Sequence, residues 1–199
     1  MAEFYKMTKR AVLAVCVFLV SPCILLAWLE KRFSNSEEIY SVFAHLFSLA
    51  PGKIGSYLRV AYYKGTLNKC ASDVFIGFGT FFPHRQAEIA SMVTIGSYCI
   101  IGCVKIGDNV LIASKVSITS GKYQHRKEGK RWSRKVNLET INIGSHCWIG
   151  EGAIVVDSVN DHCILAAGTI ATKMTPPNCL IVGNPCRIIK REVTTKTRA

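Results

Sequence analysis

No two cysteines in this 199-residue chain stand as a CxxC pair, although nine cysteines are present. Their scattered placement argues against a zinc or disulfide framework. Free buried thiols in a reducing compartment are the expectation, and no metal is expected. Acidic residues are scarce as well: 13 Asp and Glu stand against 25 Lys and Arg, for a formal net charge of +12. No nucleic-acid-binding motif accompanies this excess, so no nucleic-acid partner is expected. The positive charge is densest between Lys122 and Lys135, where Glu128 is the lone acidic residue. Two readings of that run stand side by side. It serves phosphorylated substrates, cofactor phosphates or an anionic membrane face, or it is a solvated loop.

Charge is also missing between Ala11 and Leu29, where the chain reads AVLAVCVFLVSPCILLAWL between Lys9-Arg10 and Glu30-Lys31-Arg32. That length just reaches the threshold for crossing a bilayer. No clean small-x-small cleavage site follows, which argues against a removed signal peptide. Ser21-Pro22 falls mid-segment, and proline removes a backbone donor and crowds the preceding turn. The expectation is a broken, re-entrant helix with Met1 and the rest of the chain on the cytoplasmic side. A straight span that tolerates the proline is the alternative. Next, Ile39, Val42, Phe43, Leu46 and Phe47 recur at helical spacing on one face. Ser34 to Ser36 are capping candidates, and Pro51-Gly52 ends the segment. This stripe is expected to lie on lipid. Residues 1–50 are therefore read as a membrane-associated helical segment, hydrophobic over 11–29 and amphipathic over 36–50. Residues 51–73 are read as a linker and capping helix, helical over 54–66.

Beyond residue 74 the dominant feature is a period of six. Blocks open with an aliphatic residue and commonly a small one: Ile89-Ala90, Ile95-Gly96, Ile101-Gly102, Ile106-Gly107, Ile112-Ala113, then Ile143-Gly144 and Ile149-Gly150. Val155, Val159 and Leu165 continue the aliphatic position. Neither a helix, with period 3.6, nor a strand, with period 2, produces this pattern. A three-sided solenoid does, with one short strand and one corner per block. The fifth position of each block must then be small and inward. It holds Val93, Cys99, Val110, Val116, Cys147, Ala153, Cys163 and Thr169. The fold class expected is mainly β, a left-handed parallel β-helix preceded by membrane-associated helices. The coil is expected over 74–190, with a loop insertion at 119–140 and a basic tail at 191–199.

The repeat and its flanks resemble the hexapeptide-repeat acyltransferases, galactoside-, maltose- and serine-type O-acetyltransferases among them. The likeness is carried by Ile106-Gly107-Asp108-Asn109-Val110, Cys147-Trp148-Ile149-Gly150, Ala166-Ala167-Gly168-Thr169, Thr172-Lys173-Met174-Thr175-Pro176-Pro177 and Gly183-Asn184-Pro185-Cys186-Arg187. The Ser-Pro segment in turn resembles the re-entrant helix of monotopic phosphoglycosyl transferases.

The family resemblance implies acetyl-CoA as acyl donor and a homotrimer. It implies that a histidine in the excursion at 119–140 acts as general base, and His125 stands there. It lies two residues later than the spacing in galactoside enzymes. A neutral imidazole takes the proton of a sugar hydroxyl as it attacks a thioester. Trp148, Ala166, Ala167, Gly168, Lys173 and Arg187 match cofactor-binding positions. His84 and Arg126 are assigned to the acceptor, with a structural role for His84 as its rival. Glu128 and Glu139 are both open as partners that orient His125. A reactive cysteine is the competing nucleophile. His146 and His162 fall on outward positions, and His45 on an interface.

The expected function is O-acetyl transfer to a sugar hydroxyl in bacterial surface-glycan or glycolipid synthesis. The expected place is the cytoplasmic face of the inner membrane, in contact with membrane lipid and a sugar or lipid-linked glycan acceptor. An anchored enzyme acting on serine or a nucleotide sugar is one alternative. A non-catalytic structural β-helix is another.

Overall fold

The computed structural model describes residues 2–34 and 36–190. The basic tail 191–199 and the placement of Met1 lie outside the described residues. Three helices come first: α1 (Ala2–Phe33), α2 (Glu38–Ser48) and α3 (Gly52–Thr66). Short strands follow: β1 (Lys69–Cys70), β2 (Phe75–Ile76), β3 (Glu88–Ile89), β4 (Thr94–Ile95), β5 (Ile100–Ile101), β6 (Val104–Ile106), β7 (Leu111–Ile112) and β8 (Ser117–Ile118). A hairpin, β9 (His125–Glu128) and β10 (Arg131–Val136), interrupts the series. It resumes with β11 (Ile141–Ile143), β12 (Trp148–Ile149), β13 (Ile154–Val155), β14 (Ile164–Leu165), β15 (Ile170–Ala171), β16 (Cys179–Val182) and β17 (Arg187–Lys190).

Apart from the antiparallel β9–β10 hairpin, these strands form three sheets, parallel throughout except for the final β16–β17 pair. The first side is β1-β3-β6-β11, the second β2-β4-β7-β12-β14-β16, and the third β5-β8-β13-β15. Single bridges at Phe81, Val159 and Thr175 fill places where no full strand forms. The chain visits first, second and third side in the same rotation, coil after coil, from Lys69 rather than residue 74. The hexad pattern is thereby explained. Ile76, Ile95, Ile112, Ile149, Leu165 and Ile181 stack in register up the interior of the second side. All the fifth-position residues from Val93 to Thr169 are buried with them. The small residue after each aliphatic is needed because successive corners nearly touch. A Cβ on Gly96 would lie 2.5 Å from Ser114 N.

The helices close the open end of the coil. Arg59, buried on α3, donates from Nη1 to the carbonyls of Phe47, Ser48 and Ala50 and from Nε to that of Ile76. One guanidinium thus joins the α2–α3 turn to the first coil without leaving a buried donor unpaired there.

The expected break in α1 is absent: the helix runs through Pro22 without interruption. The reason is local. Pro22 cannot donate to the Phe18 carbonyl four residues back, and Ser21 Oγ donates to that oxygen instead, at 2.7 Å. The serine that suggested a turn restores the bond the proline removes. One stripe of α1, comprising Leu13, Cys16, Val20, Ala27 and Glu30, is buried. The opposite face exposes Val15, Phe18, Leu19, Leu25, Leu26 and Trp28. The segment Ala11–Phe33 is long and apolar enough to cross a membrane. Close approach to α3 depends on Gly65, where a Cβ would lie 2.7 Å from Ile24.

On α2 the expected single apolar stripe divides. Ile39, Val42 and Leu46 are exposed. Phe43 and Phe47 turn toward Tyr62, with ring centroids 6.4 and 5.1 Å away. Tyr40, Ala44 and Ser48 form the buried face. Tyr40 decides the rotation, because its hydroxyl donates to the Phe82 carbonyl at 2.9 Å inside the first coil. The cap is also remote. Ser34 and Ser36 bond nearby amides, but the Glu30 carboxylate at the end of α1 accepts from the amides of Ile39 and Tyr40 at 2.7 and 3.0 Å.

Glu30 also pairs with buried Arg85, whose guanidinium lies over the Tyr40 ring. Glu37 completes this network, accepting from the Arg85 amide at 3.1 Å and sitting 2.8 Å from His84 Nδ1. Burial pushes the Glu37 carboxyl up, but the bonds and charges of His84 and Arg85 outweigh it and hold the group below its ordinary value. Its contribution to stability is therefore complete above pH 4.5 and is lost as pH falls through the lowered value. We expect the difference in denaturant midpoint between wild type and Glu37→Gln to be largest near neutrality and to close in acid. An equal difference at both would count against this assignment.

Candidate active site

Among the described residues, the coil is interrupted by one long excursion, between Thr119 and Thr140. It leaves from the corner joining the third and first sides. The sequence anticipated a loop there, and the chain builds a two-stranded hairpin. Gly129, with φ +62°, turns it between Glu128 and Lys130. Arg131 pairs with Glu128, Trp132 with Lys127 and Val136 with His125, with an irregularity between the last two pairs.

The neck of the hairpin is fastened to the coil. The Asn137 amide donates to the Gln124 carbonyl at 2.8 Å, and the Glu139 amide to the Ser120 carbonyl at 3.0 Å. Ser120 Oγ accepts from the Cys103 amide one coil earlier. Lys122 Nζ meets Asp157 Oδ2, one coil later, at 2.6 Å. Burial raises the Asp157 carboxyl, but the Lys122 bond and charge, with the Ser158 and Met174 amides, outweigh it and leave it lowered.

Between hairpin and coil lies an open cleft of about 890 Å3. His125 lines it, together with Tyr123, Trp132, Ser133, Arg134 and Val156. No cysteine is among its lining residues. Arg126, the next residue on β9, is exposed but does not line the cleft. Adjacent residues on a strand point to opposite faces, so His125 and Arg126 divide between them.

Neither carboxylate proposed to orient His125 does so. Glu128 sits at the far turn, and Glu139 accepts from Asn137 Nδ2 at 3.2 Å and packs beside Gly121. Among the described residues, no carboxylate hydrogen-bonds the His125 ring.

The same edge of the prism carries more chemistry. His84 occupies it two coils before the hairpin, and Lys173 two coils after. At about 4.8 Å per coil these are steps of roughly 10 Å along the edge. His84 borders a second cleft, of about 590 Å3, with Glu37, Glu38, Ser41, Val42 and Pro83. Its ring is held by Glu37, so it sits in both the structural network and an open site.

The other proposed cofactor residues lie elsewhere. Trp148 stands half-exposed on the outer surface of the second side, in register between Leu111 and Ile164. Ala166, Ala167 and Gly168 form the corner between the second and third sides, where Gly168 has φ +68° and open space around it. Arg187 is exposed at the start of β17. A single chain thus does not bring His125 to Trp148 and Ala166–Gly168. His146 and His162 are exposed as expected and stack on each other, with centroids 4.8 Å apart. His45 packs on Phe81 at 4.3 Å.

As individual residues, Tyr123, Trp132 and Arg134 do not stand out in the sequence. Their signal was present, since two aromatics stand inside the basic run. Only the folding of β9 onto β10 gathers them around His125.

No protein-family model matches the chain. A 101-residue segment is 40% identical to the galactoside O-acetyltransferase of Escherichia coli, spanning 48% of this chain and 47% of that protein. The chain thus aligns with about half the length of this curated relative. Among solved structures, a maltose O-acetyltransferase from Clostridium difficile superimposes with a TM-score of 0.65 at 22% identity, covering 78% of this chain and 86% of that one. A galactoside acetyltransferase in complex with coenzyme A gives 0.63 at 23% identity, covering 77% and 80%. A hexapeptide-repeat acetyltransferase from Vibrio cholerae, complexed with acetyl coenzyme A, gives 0.63 at 18% identity, covering 78% and 90%. The chain is therefore similar to the hexapeptide-repeat acetyltransferases, in sequence over about half its length and in fold over more than three quarters of it.

Proposed function

We propose that the protein is an acetyl-CoA-dependent O-acetyltransferase whose acceptor is a sugar hydroxyl. The observation that carries this reading is the cleft at the interrupted coil, with an exposed imidazole, His125, on its wall. His125 takes the hydroxyl proton as the oxygen attacks the thioester carbonyl. The acetyl group moves to that oxygen, and the coenzyme leaves as the thiol with the proton returned to sulfur. No acyl-enzyme is needed.

Coenzyme A fits the chemistry of the outer surface. Leu111, Trp148 and Ile164 offer an apolar lane for its arm, the Ala166–Gly168 corner permits close approach, and Lys173 and Arg187 are exposed cations for its phosphates. Lys173 shares the hairpin's edge of the coil, whereas Trp148, the Ala166–Gly168 corner and Arg187 lie away from His125. A homotrimer sets one chain's hairpin edge against its neighbour's cofactor surface and covers exposed Leu111, Ile100 and Ile154. The outer face of α1 and the row Ile39, Val42 and Leu46 rest against lipid, at the cytoplasmic face of a bacterial inner membrane. An acceptor presented there, a lipid-linked glycan, suits that placement, with His84 and Arg126 as further acceptor contacts.

The test is acetyl transfer from acetyl-CoA to free and to polyprenyl-linked sugars, with the ester product identified by mass. Transfer to neither would overturn the reading. Transfer to free sugars alone would leave a membrane-anchored enzyme for soluble acceptors. Lys173→Ala is expected to weaken coenzyme A more than dephospho-coenzyme A, if the lysine meets the ribose phosphate. Equal losses would move it elsewhere along the cofactor. Trp148→Ala is expected to raise KM for acetyl-CoA.

A further inference from the structure

We infer that the hairpin cleft selects an anionic sugar, a pyranose bearing a carboxylate or phosphate. This inference rests on the acetyltransferase reading for its chemistry but not for its binding test. Three observations carry it.

The first is unpaired charge. Lys122 is neutralised by Asp157. Among the described residues, Arg126, Lys127, Lys130, Arg131, Arg134 and Lys135 have no acidic group within ion-pair distance. Glu128, the acidic residue within this run, is at the turn and does not line the cleft. An anion entering there meets Arg134 with no carboxylate among the lining residues, and the other unpaired cations of the hairpin make the surroundings of the cleft positive.

The second is apolar exposure inside a polar element. Tyr123 is 73% and Trp132 69% exposed, yet both border the same concave surface as His125. Large exposed aromatics on a charged hairpin mark a contact surface. Flat rings with a polar edge suit the C–H face of a sugar ring, whose hydroxyls remain free to reach a base.

The third is geometry. Arg134 is on the cleft wall with His125, whereas most of the other hairpin cations are not. A planar guanidinium there can take a carboxylate or phosphate through two N–H donors. A ring stacked on Trp132 with its anionic group on Arg134 has its orientation fixed, so that one hydroxyl meets His125. The cleft volume suits one or two sugar units. The fastened neck, at Lys122–Asp157 and Glu139–Ser120, holds the cleft in shape before binding. A lipid bilayer is a poorer match, because a flat surface would not engage Arg134 inside a concavity.

Binding is read with the full chain in mild detergent, without acetyl-CoA, using glucuronate, glucose 6-phosphate and glucose as probes in saturation-transfer NMR. Either anionic sugar is expected to bind roughly ten- to a hundredfold tighter than glucose, the worth of a charge-assisted bond. The two anionic probes tell a carboxylate preference from a phosphate preference. Arg134→Gln is expected to abolish the preference, and Trp132→Ala to weaken both anionic and neutral sugars. Trp132→Phe should retain most of the affinity. Both positions are exposed, so neither change is expected to disturb folding. Equal binding of glucose and the anions by wild type would overturn the inference. So would an Arg134→Gln variant that loses affinity for anionic vesicles, or for acetyl-CoA, while keeping the sugar preference. Sugar binding without acetyl transfer would instead overturn the proposed reaction and leave the cleft's selectivity standing.

Discussion

His125→Ala is expected to lower acetyl transfer by roughly two to four orders of magnitude while leaving acetyl-CoA binding intact. That loss corresponds to roughly 3 to 5 kcal/mol of barrier. The expectation follows from placement. The ring lines the cleft, and it stands on a hairpin whose neck is bonded independently of it. Removing an exposed side chain from β9 leaves the coil untouched. Turnover should therefore fall with no shift in the unfolding midpoint. His84→Ala is the control, since His84 lies on the same edge and is the imidazole that a carboxylate already holds. Its loss should loosen α2 and raise KM for the acceptor. If instead His125→Ala keeps near-wild-type turnover and His84→Ala abolishes it, the base belongs to the His84–Glu37 pair.

Arg85→Ala should be the most damaging single change to stability, at about 3 to 5 kcal/mol, the usual cost of stranding a buried charge. Arg85 and Glu30 are 5% and 4% exposed, and their heads meet at 2.5 Å. Taking away the guanidinium leaves the Glu30 carboxylate facing Tyr40 and the start of α2 without a counter-charge. The denaturant midpoint in mild detergent measures the loss. Arg85→Met combined with Glu30→Met should cost less than the two single changes added together, because the pair leaves together. The double variant still loses the remote cap on α2, worth about 1 kcal/mol. Simple additivity would mean that the pair is not coupled as its geometry implies. The measurement has a functional side, since the same network fastens the end of α1 to the first coil. Weakening it should detach the apolar helices from the site they are proposed to serve.

Much of the coil was readable in one dimension. A hexad places an aliphatic residue inward at each corner turn, and parallel stacking repeats the same environment every coil. Ile95, Ile112 and Ile149 could therefore be assigned to the interior without knowing any contact. Cys99, Cys147 and Cys163 followed, since each coil admits only a small side chain at the fifth place. The position of the excursion was equally plain, because a break in so regular a pattern has few explanations. His125 could be picked out as the histidine within it.

What the sequence by itself determined, then, was everything repeated: the three-sided coil, its inward residues, its corners and the place where it is interrupted. Tertiary structure alone decided what depends on a single distant partner. The Ser21-Pro22 pair reads as a break until Ser21 Oγ is seen to replace the missing donor to Phe18. The face that α2 buries was set by Tyr40 reaching into the first coil, and its cap by Glu30 from another helix. The partnership of His84 with Glu37 spans 47 residues of chain. The gathering of Tyr123, Trp132 and Arg134 around His125 needed β9 to fold back on β10. A periodic pattern records the average environment of a position. A hydrogen bond or ion pair between remote residues leaves no period, and it appears only once the chain has closed on itself.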